Sequence, residues 1–244
     1  MEKPKIIFFG TPDFALKSLE LINSHCDILC VVTSQDKKSG RGLRIHQSEV
    51  KKFSIINNIL IKQPEDLKNI DFINQIKSMN ADLFIVVAFR KIPKEVYSIP
   101  KLGTINLHAS LLPDYRGAAP INWALINNEK VTGVTTFFIN EKIDHGDIIS
   151  KKEVLIDNDD DYKSLYRKLS IIGSNLLLET IMIVFKGKFQ IISQSKVNNK
   201  KKAPKLNSEN TRINWEDNTE RILGMIRGLS VSYTHLRAHE TSTH

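Results

Sequence analysis

The chain has 244 residues, of which 41% are hydrophobic and 25% charged, and its formal net charge is +8. This composition excludes a disordered polar chain and a small disulfide-stabilised domain, and it suffices for one large domain plus part of another. The positive charge favours a polyanionic partner such as nucleic acid, although a basic surface can also serve solubility alone.

Two further properties of the composition restrict the class of protein. Only Cys26 and Cys30 are present, so we interpret them as apolar core residues rather than as metal ligands or a disulfide framework. No uninterrupted apolar run reaches membrane-spanning length, and no secretory apolar segment precedes the first strand-like segment. We therefore expect a cytoplasmic protein that does not enter a membrane.

The chain begins with short apolar segments that alternate with amphipathic ones. Residues 5–10 predict a strand that stops at a glycine, and Pro12 then begins a helix that reaches about residue 24. One glycine at this turn does not meet the three-glycine dinucleotide fingerprint. A second strand, 27–33, leads into the basic loop 34–44, which is either a phosphate-contacting loop or an ordinary solvated one.

The next elements predict a parallel sheet. Helical spacing of apolar residues is found over 49–58 and 65–79, with a short strand at 59–62 between them. Residues 81–88 are almost uniformly apolar, which is typical of a central parallel strand covered on both sides. A short crossover at 92–98 follows. The predicted fold class is α/β, with a Rossmann-like, mostly parallel sheet and helices on both faces.

Asn106 and His108 are the first candidates for a reaction centre. In a strand over 103–109 their side chains point to the same face, because successive side chains alternate. They lie at the carboxyl end of the strand, where open parallel sheets bind ligands. A buried, satisfied histidine is the alternative, but the adjacent amide and the following Ser, Pro and Gly turn favour a site.

The later elements add a carboxylate. A helix is predicted over 121–127, and strands 131–140 and 148–156 pair as a hairpin whose turn, 141–147, contains Glu141, Asp144 and Asp147. The acidic run 157–161 precedes a helix over 162–185. Because it lacks the spaced acids and glycine of a calcium loop, we interpret this run as helix capping, and no metal site is predicted.

The composition of the chain changes after residue 194. We expect a main domain over 1–194, an exposed basic linker over 195–212 and the start of a further domain over 213–230, with a helix at 218–229. Residues 231–244 are rich in histidine and threonine and lack the high content of isoleucine, lysine and asparagine found in the preceding chain. We interpret this tail as non-native sequence; a genuine disordered C-terminus is the alternative.

Several motifs in a fixed order resemble those of a known enzyme family. The chain is similar to the folate-dependent formyltransferases at NLHASLLP (106–113) and DHG (144–146). Within that group it resembles the methionyl-tRNA formyltransferases at GTPDF (10–14), SGRG (39–42) and RGAAPI (116–121). The resemblance extends from the first strand to about residue 230, and the combination of motifs is more specific than any one of them.

The resemblance implies transfer of a formyl group from 10-formyltetrahydrofolate to the amino group of methionine on initiator tRNA. We also expect a monomer. It implies catalytic roles for Asn106, His108 and Asp144, consistent with a reaction that needs an oxyanion donor and a proton carrier. Folate contacts are implied for Ser110, Leu111, Leu112, Pro113, Phe89 and Arg90. Contacts with the tRNA acceptor end are implied for Lys37, Lys38, Arg41, Gly42 and Arg44.

The chain also departs from the family pattern. Many relatives have a Tyr-Gly pair where this chain has Phe89 and Arg90, and a threonine where it has His145, so the pocket is expected to differ in detail. The family continues into an OB-like β-barrel that helps to hold tRNA and needs on the order of 50 residues. Fewer residues follow Trp215. We therefore expect a missing barrel, weakened tRNA binding and exposed apolar surface on the helix at 218–229.

Two other functions remain as alternatives. A formyltransferase acting on glycinamide ribonucleotide or an amino sugar would use the same Asn, His and Asp, but it would not need the basic loop. A nonenzymatic nucleic-acid-binding domain would use the loop and linker, but it would leave the three candidate catalytic residues unexplained.

Overall fold

A seven-stranded sheet forms the centre of the protein, which a computed structural model describes over residues 2–39, 44–194 and 201–230. The strands are β1 (Lys5–Gly10), β2 (Asp27–Val32), β3 (Lys37–Ser39), β4 (Arg44–His46), β5 (Ile61–Lys62), β6 (Leu83–Val87), β7 (Thr104–His108), β8 (Arg116–Gly117), β9 (Val131–Phe138), β10 (Ile148–Leu155) and β11 (Lys202–Ala203). The helices are α1 (Asp13–Asn23), α2 (Glu49–Ile56), α3 (Ile70–Ser78), α4 (Lys94–Tyr97), α5 (Pro120–Ile126), α6 (Tyr162–Phe185) and α7 (Thr219–Leu229).

The order of the strands sets the position of the functional cleft. The sheet runs β10-β9-β7-β6-β1-β2-β5, with parallel pairing from β7 to β5 and antiparallel pairing of β9 with β7 and of β10 with β9. The chain moves outward from β1 to β2 and β5, and then returns to the other side of β1 as β6. Ligands of open α/β sheets bind at such a reversal, beyond the carboxyl ends of the strands. The predicted Rossmann-like, mostly parallel sheet is confirmed.

Alternating side chains of the central strands divide the core into two layers. In β1, Ile6 and Phe8 pack on one face and Ile7 and Phe9 on the other, and all four are fully buried. Burial of each such side chain contributes about 1.5–3 kcal/mol relative to its exposure. Because helices need apolar surface to pack against, these two layers explain the helices on both faces of the sheet.

The two cysteines lie in different core layers, in agreement with their interpretation as apolar residues. Cys26 packs in the layer that contains α1, and Cys30 packs in the opposite layer. Burial raises the pKa of the Cys26 thiol to about 11 and that of the Cys30 thiol to about 12. Both thiols therefore remain protonated and poorly nucleophilic at neutral pH.

The long helix α6 is a core element with a defined start. Asp161 caps it: its side chain accepts a hydrogen bond from the backbone N–H of Ser164, whose hydroxyl in turn accepts one from the Asp161 backbone. By length and composition α6 would also suit a membrane, but half of that stretch is buried inside the protein. It packs against α1, β9 and β10, as expected for the core helix of a globular domain.

The helix predicted over 65–79 begins later than its apolar spacing indicated. Asn69 caps α3 by accepting a hydrogen bond from the backbone N–H of Phe72, so helical structure starts at Ile70. Leu67 is buried outside the helix, whereas Ile70 is 65% exposed. The capping residue therefore decides the boundary, and periodicity alone overestimated the length of this helix.

Part of the segment predicted as an exposed linker, 195–212, packs against the main domain. Its residues Lys202 and Ala203 form β11, which pairs in parallel with β8, and Ala203 is fully buried. The prediction that this whole segment is exposed is therefore wrong for β11, because the backbone of β11 pairs with β8 in the turn after β7.

The helix predicted at 218–229 packs on the main domain through one face. Met225 and Leu229 of α7 are buried against Ile126 of α5, while Leu223 and Ile226 are 51% and 37% exposed. The predicted exposed apolar surface is therefore present on the other face of α7. The tail 231–244 lies outside the described residues.

We expect the Asp161→Ala substitution to lower the free energy of unfolding by about 1 kcal/mol, because α6 loses its N-terminal cap. For a chain of this size the melting temperature should fall by about 2–4 °C. Thermal unfolding followed by circular dichroism measures the change. Asp159→Ala, at an exposed position two residues earlier, is the matched control. Equal melting temperatures for the two variants would contradict the capping role.

Candidate active site

A cavity of about 640 Å³ opens beyond the carboxyl ends of β1, β6 and β7. This volume lies within the range of sites that bind small organic molecules and cofactors. The surrounding side chains come from the strand ends, from the turn after β7 and from the β9–β10 turn. Among the lining residues are Pro12, Phe89, Asn106, His108, Gly117, Phe137, Asp144 and Tyr166. The topological reversal thus places a sizeable cleft at the predicted edge of the sheet.

Asn106 and His108 both line this cavity from β7, as their two-residue spacing predicts. Asn106 is half-buried, and its side-chain amide makes no hydrogen bond within the described part of the chain. His108 is only 7% exposed, and its Nε2 lies 2.9 Å from the backbone carbonyl oxygen of Tyr115. Because a carbonyl only accepts hydrogen bonds, Nε2 carries a proton, and Nδ1 of the neutral ring has a free lone pair.

Asp144 lies next to the free nitrogen of His108. Its Oδ2 is 3.9 Å from Nδ1, and the two side chains are 11% and 8% exposed. The distance is too long for a direct hydrogen bond, and the carboxylate attracts the ring only when the ring carries a second proton. The same Oδ2 accepts a hydrogen bond of 3.0 Å from the backbone N–H of Gly117. The structure therefore brings together the amide, the imidazole and the carboxylate that the sequence singled out.

The loop that carries Asp144 is held by residues that sequence reasoning missed. Arg116 donates from Nε to the backbone carbonyl of Asp144 at 3.0 Å and, through Nε and Nη2, to Oε1 of Gln194. Gln194 is 4% exposed and donates to the carbonyl of Gly146 at 2.6 Å. Burial lowers the pKa of the Arg116 guanidinium, and the charge of Asp144 opposes this shift. Only Arg116 had a signal in the sequence, its position within RGAAPI.

The turn predicted to contact folate makes hydrogen bonds within the protein. Ser110 and Leu112 are fully buried, and no residue from Ser110 to Pro113 lines the cavity. The Ser110 hydroxyl donates to the carbonyl of Asp114, and the N–H of Leu112 donates to the hydroxyl of Thr135 on β9. The folate contacts predicted for Ser110, Leu111, Leu112 and Pro113 stay a prediction. The turn holds the end of β7 against its neighbouring strand.

Phe89 and Arg90 line the cavity, where they follow β6. The ring of Phe89 packs edge-on against Phe9, with ring centroids 5.8 Å apart. The guanidinium carbon of Arg90 lies 5.8 Å from the centroid of Phe89, and its nitrogens donate to the backbone carbonyls of Pro64 and Glu65. This side chain is therefore held across the rim of the cleft.

The basic loop leaves the sheet at the carboxyl end of β2, and its first residues are anchored. Asp36 forms an ion pair of 2.7 Å with Lys51, whose hydrogen bond lowers the pKa of the Asp36 carboxyl. Gln63 donates to the carbonyl of Ser34 at 2.6 Å and to Asp36 at 3.0 Å. These contacts fix the start of the loop on the same edge of the sheet as the cavity.

Three of the five positions predicted to contact tRNA belong to a short antiparallel ribbon. Lys37 and Lys38 belong to β3 and Arg44 to β4, for which the structure describes the backbone alone. Arg41 and Gly42 lie outside the described residues. The described part of the predicted loop thus contains two paired strands.

No group of three or more His, Cys, Asp or Glu side chains in the described ranges 2–39, 44–194 and 201–230 could hold a metal ion. The acidic run before α6 is used for capping and for ion pairs with Lys168. The polar groups available at the cavity include the amide of Asn106, the imidazole of His108 and the carboxylate of Asp144.

Comparisons with known proteins point to one family. A family model described as Formyl transferase matches residues 4–181. A methionyl-tRNA formyltransferase from Flavobacterium johnsoniae is 47% identical over 231 residues, which cover 94% of this chain and 73% of that protein. One from Thermodesulfovibrio yellowstonii is 47% identical over 225 residues, or 91% and 72% of the two chains. The chain belongs to the methionyl-tRNA formyltransferase family.

Solved structures place this family member within a wider fold group. A sugar 3N-formyl transferase, crystallised in the presence of dTDP and 5-N-formyl-THF, has a TM-score of 0.70 at 24% identity, covering 93% of this chain and 80% of that one. A phosphoribosylglycinamide formyltransferase from Bacillus halodurans has a TM-score of 0.61 at 20% identity, with coverages of 72% and 93%. At these identities the likeness shows the shared fold alone.

In this formyltransferase, we expect Gln194→Ala to lower the free energy of unfolding by about 1–3 kcal/mol, because it leaves the buried carbonyl of Gly146 without its donor. Urea unfolding measures the change. Gln190→Ala, at an exposed position on the same segment, is the control and should leave the stability unchanged. If the two variants unfold at the same urea concentration, Gln194 does not hold the Asp144 loop.

Proposed function

We propose that the protein transfers the formyl group of 10-formyltetrahydrofolate to the amino group of methionine on initiator tRNA, for translation initiation. The proposal rests on the convergence of Asn106, His108 and Asp144 at one cavity, in a chain that is 42–47% identical to proteins named methionyl-tRNA formyltransferase. In the reaction the amine nitrogen bonds to the formyl carbon, and the bond between that carbon and the folate nitrogen breaks. The amine loses one proton, and the folate nitrogen gains one.

Asn106 serves as the oxyanion donor in this proposal. Attack on the formyl carbon places negative charge on its oxygen, and a fixed N–H group stabilises that charge by about 3 kcal/mol in comparable sites. The side-chain amide of Asn106 is available because it has no hydrogen-bond partner within 2–39, 44–194 or 201–230. Its position on β7 aims it into the same cleft as His108.

His108 moves the proton in this proposal. Its Nε2–H is occupied by the carbonyl of Tyr115, so Nδ1 is the nitrogen that accepts the proton of the attacking amine and returns it to the leaving folate nitrogen. A positioned general acid–base group of this kind contributes a factor of about 10² to 10⁴. The 7% exposure of the ring limits exchange of this proton with bulk water.

Asp144 stabilises the positive ring that forms when His108 accepts the proton. Its Oδ2 faces Nδ1 at 3.9 Å, so the stabilisation is by charge or through one bridging water rather than by a direct hydrogen bond. The N–H of Gly117 holds this oxygen in place. Asp144 therefore acts on the proton carrier rather than on the formyl carbon.

We assign the folate co-substrate to the 640 Å³ cavity, with Phe89 and Arg90 at its rim. An aromatic ring and a guanidinium fit a ligand that has a flat ring system at one end and carboxylates at the other. The turn Ser110–Pro113 supports β7 from outside the cavity.

We assign the acceptor end of the tRNA to the basic loop, through Lys37, Lys38, Arg41, Gly42 and Arg44. Lysine and arginine neutralise phosphates, and this makes the binding salt-dependent. The ion pair between Asp36 and Lys51 supports this assignment, since it anchors the loop on the edge of the sheet where the cavity opens.

The proposed organisation follows the predicted boundaries. Residues 1–194 form the catalytic domain, the segment 195–212 contributes β11 to it and leads onward, and 213–230 begin a C-terminal part. We place the protein in the cytoplasm as a monomer without membrane attachment, where charged initiator tRNA is its acceptor.

We expect His108→Ala to lower kcat by about 10² to 10⁴ while the KM for each substrate changes little, because the proton carrier is lost and the binding surfaces remain. Steady-state formylation of charged initiator tRNA measures both constants. His25→Ala, at an exposed position far from the cavity, is the control. Wild-type turnover by His108→Ala would remove the proposed mechanism.

The acceptor itself is tested by comparing substrates at equal folate concentration. We expect formylation of methionyl initiator tRNA to be much faster than formylation of glycinamide ribonucleotide or of a nucleotide-linked amino sugar. Faster transfer to either small acceptor would overturn the proposed substrate but keep the formyl chemistry. Binding of RNA without any formyl transfer would overturn the enzyme.

A further inference from the structure

The backbone of Tyr115, which positions His108, has a conformation that needs support. Tyr115 has a φ of 58°, in the left-handed region that residues other than glycine rarely adopt. Such a conformation persists only where the surrounding structure determines it strongly. Its carbonyl oxygen is the acceptor for Nε2–H of His108. A change in this backbone would therefore remove the contact that selects the tautomer of His108.

A cluster of side chains, the Tyr115 anchor, fixes this conformation. We define it as Tyr115, Asn127, Glu129 and Lys201. The phenol of Tyr115 donates a hydrogen bond to Oε1 of Glu129 and accepts one from Nδ2 of Asn127 at 3.0 Å. Lys201 forms an ion pair of 2.6 Å with the same Glu129 oxygen, and its ammonium lies 5.9 Å from the centroid of the Tyr115 ring. Burial, followed by the contact with Glu129, raises the pKa of the phenol, which keeps the proton it donates.

Backbone contacts connect the same cluster to the second partner of His108. The N–H of Tyr115 donates to the carbonyl of Lys201 at 2.8 Å, and β11 then pairs with β8. Gly117, at the end of β8, donates to Asp144. A Cβ atom at Gly117 would lie 2.3 Å from the carbonyl oxygen of Ala203, so the two segments touch without space for a side chain. The segment at 201–203 thus holds both the carbonyl and the N–H that organise the His108–Asp144 pair.

We propose that Glu129 and Lys201 are positioning residues for formyl transfer, which hold Tyr115 so that His108 keeps its proton on Nε2 and presents Nδ1 to the reacting amine. The inference rests on the proposed function of His108. Neither residue lines the cavity, so their effect passes through the Tyr115 carbonyl and not through a substrate contact. Glu129 and Lys201 thereby determine the tautomer of His108, although neither of them contacts His108.

The test combines kinetics with the protonation pattern of His108. Imidazole ¹⁵N NMR distinguishes the two neutral tautomers, and a His108→Gln spectrum assigns the signal. In Glu129→Ala we expect His108 to lose its Nε2–H tautomer preference and kcat to fall about 10- to 100-fold with little change in KM, since the proton carrier is misplaced but the binding surfaces remain. Glu129→Gln keeps an acceptor for the phenol and should recover most of the tautomer preference and of kcat.

Two further variants keep the test decisive. Glu20→Ala removes an exposed ion pair with Lys17 on α1 and is the matched control for the loss of a charge; it should leave both measurements unchanged. If Glu129→Ala unfolds, which thermal denaturation would show, Tyr115→Phe removes only the phenol hydroxyl and should change the tautomer and kcat in the same direction.

The outcomes separate this inference from the proposed function. A wild-type tautomer in Glu129→Ala and Tyr115→Phe, whatever their kcat, overturns the positioning role. A changed tautomer with wild-type kcat also overturns it, because the position of the proton would then not matter to the reaction. If the wild-type protein formylates no acceptor although Glu129→Ala changes the tautomer, the positioning of His108 is supported and the proposed function fails.

Discussion

The hydrogen bond from Nε2 of His108 to the carbonyl oxygen of Tyr115 is the contact on which the candidate active site depends. It determines which ring nitrogen is free, and therefore which nitrogen can exchange a proton at the cavity. The acceptor is a backbone atom, so its position is set by the fold of the turn after β7 rather than by a side-chain rotamer. Gly117, in the same turn, donates a hydrogen bond from its backbone N–H to Asp144. One backbone segment therefore positions both His108 and Asp144.

Three of the six non-glycine residues with a positive φ in the described ranges lie at or beside this cleft. Ala88, Tyr115 and Asp144 all have positive φ values and all lie at or beside the cavity. Each such conformation costs on the order of 1–3 kcal/mol and needs compensation from its surroundings. At Tyr115 the compensation comes from Glu129, and at Asp144 from the Arg116 and Gln194 contacts. The strain is consistent with a site in which polar groups are fixed before substrate arrives.

The basic loop gives the net positive charge of the chain a role in the proposed function. The proposed acceptor is a polyanion, and a basic loop anchored at the edge of the sheet can attract it toward the cavity. The contact between Asp36 and Lys51 is an internal pair that holds the loop, so not every lysine in this region is available to phosphates. In the proposed function, some charged side chains at this edge hold the loop in place, and others bind the phosphates of the tRNA.

The sequence by itself determined the parallel sheet, the capped helix after Asp161, and the shared face of Asn106 and His108, because periodicity and capping are local properties that residues impose on their neighbours. It also identified Asp144 through resemblance. Only the tertiary structure decided that Ser110 and Leu112 are buried outside the cavity and that Gln194 and Lys201 support the site. Those contacts join segments far apart in the chain, and no local sequence pattern predicts which distant backbone group a side chain will contact.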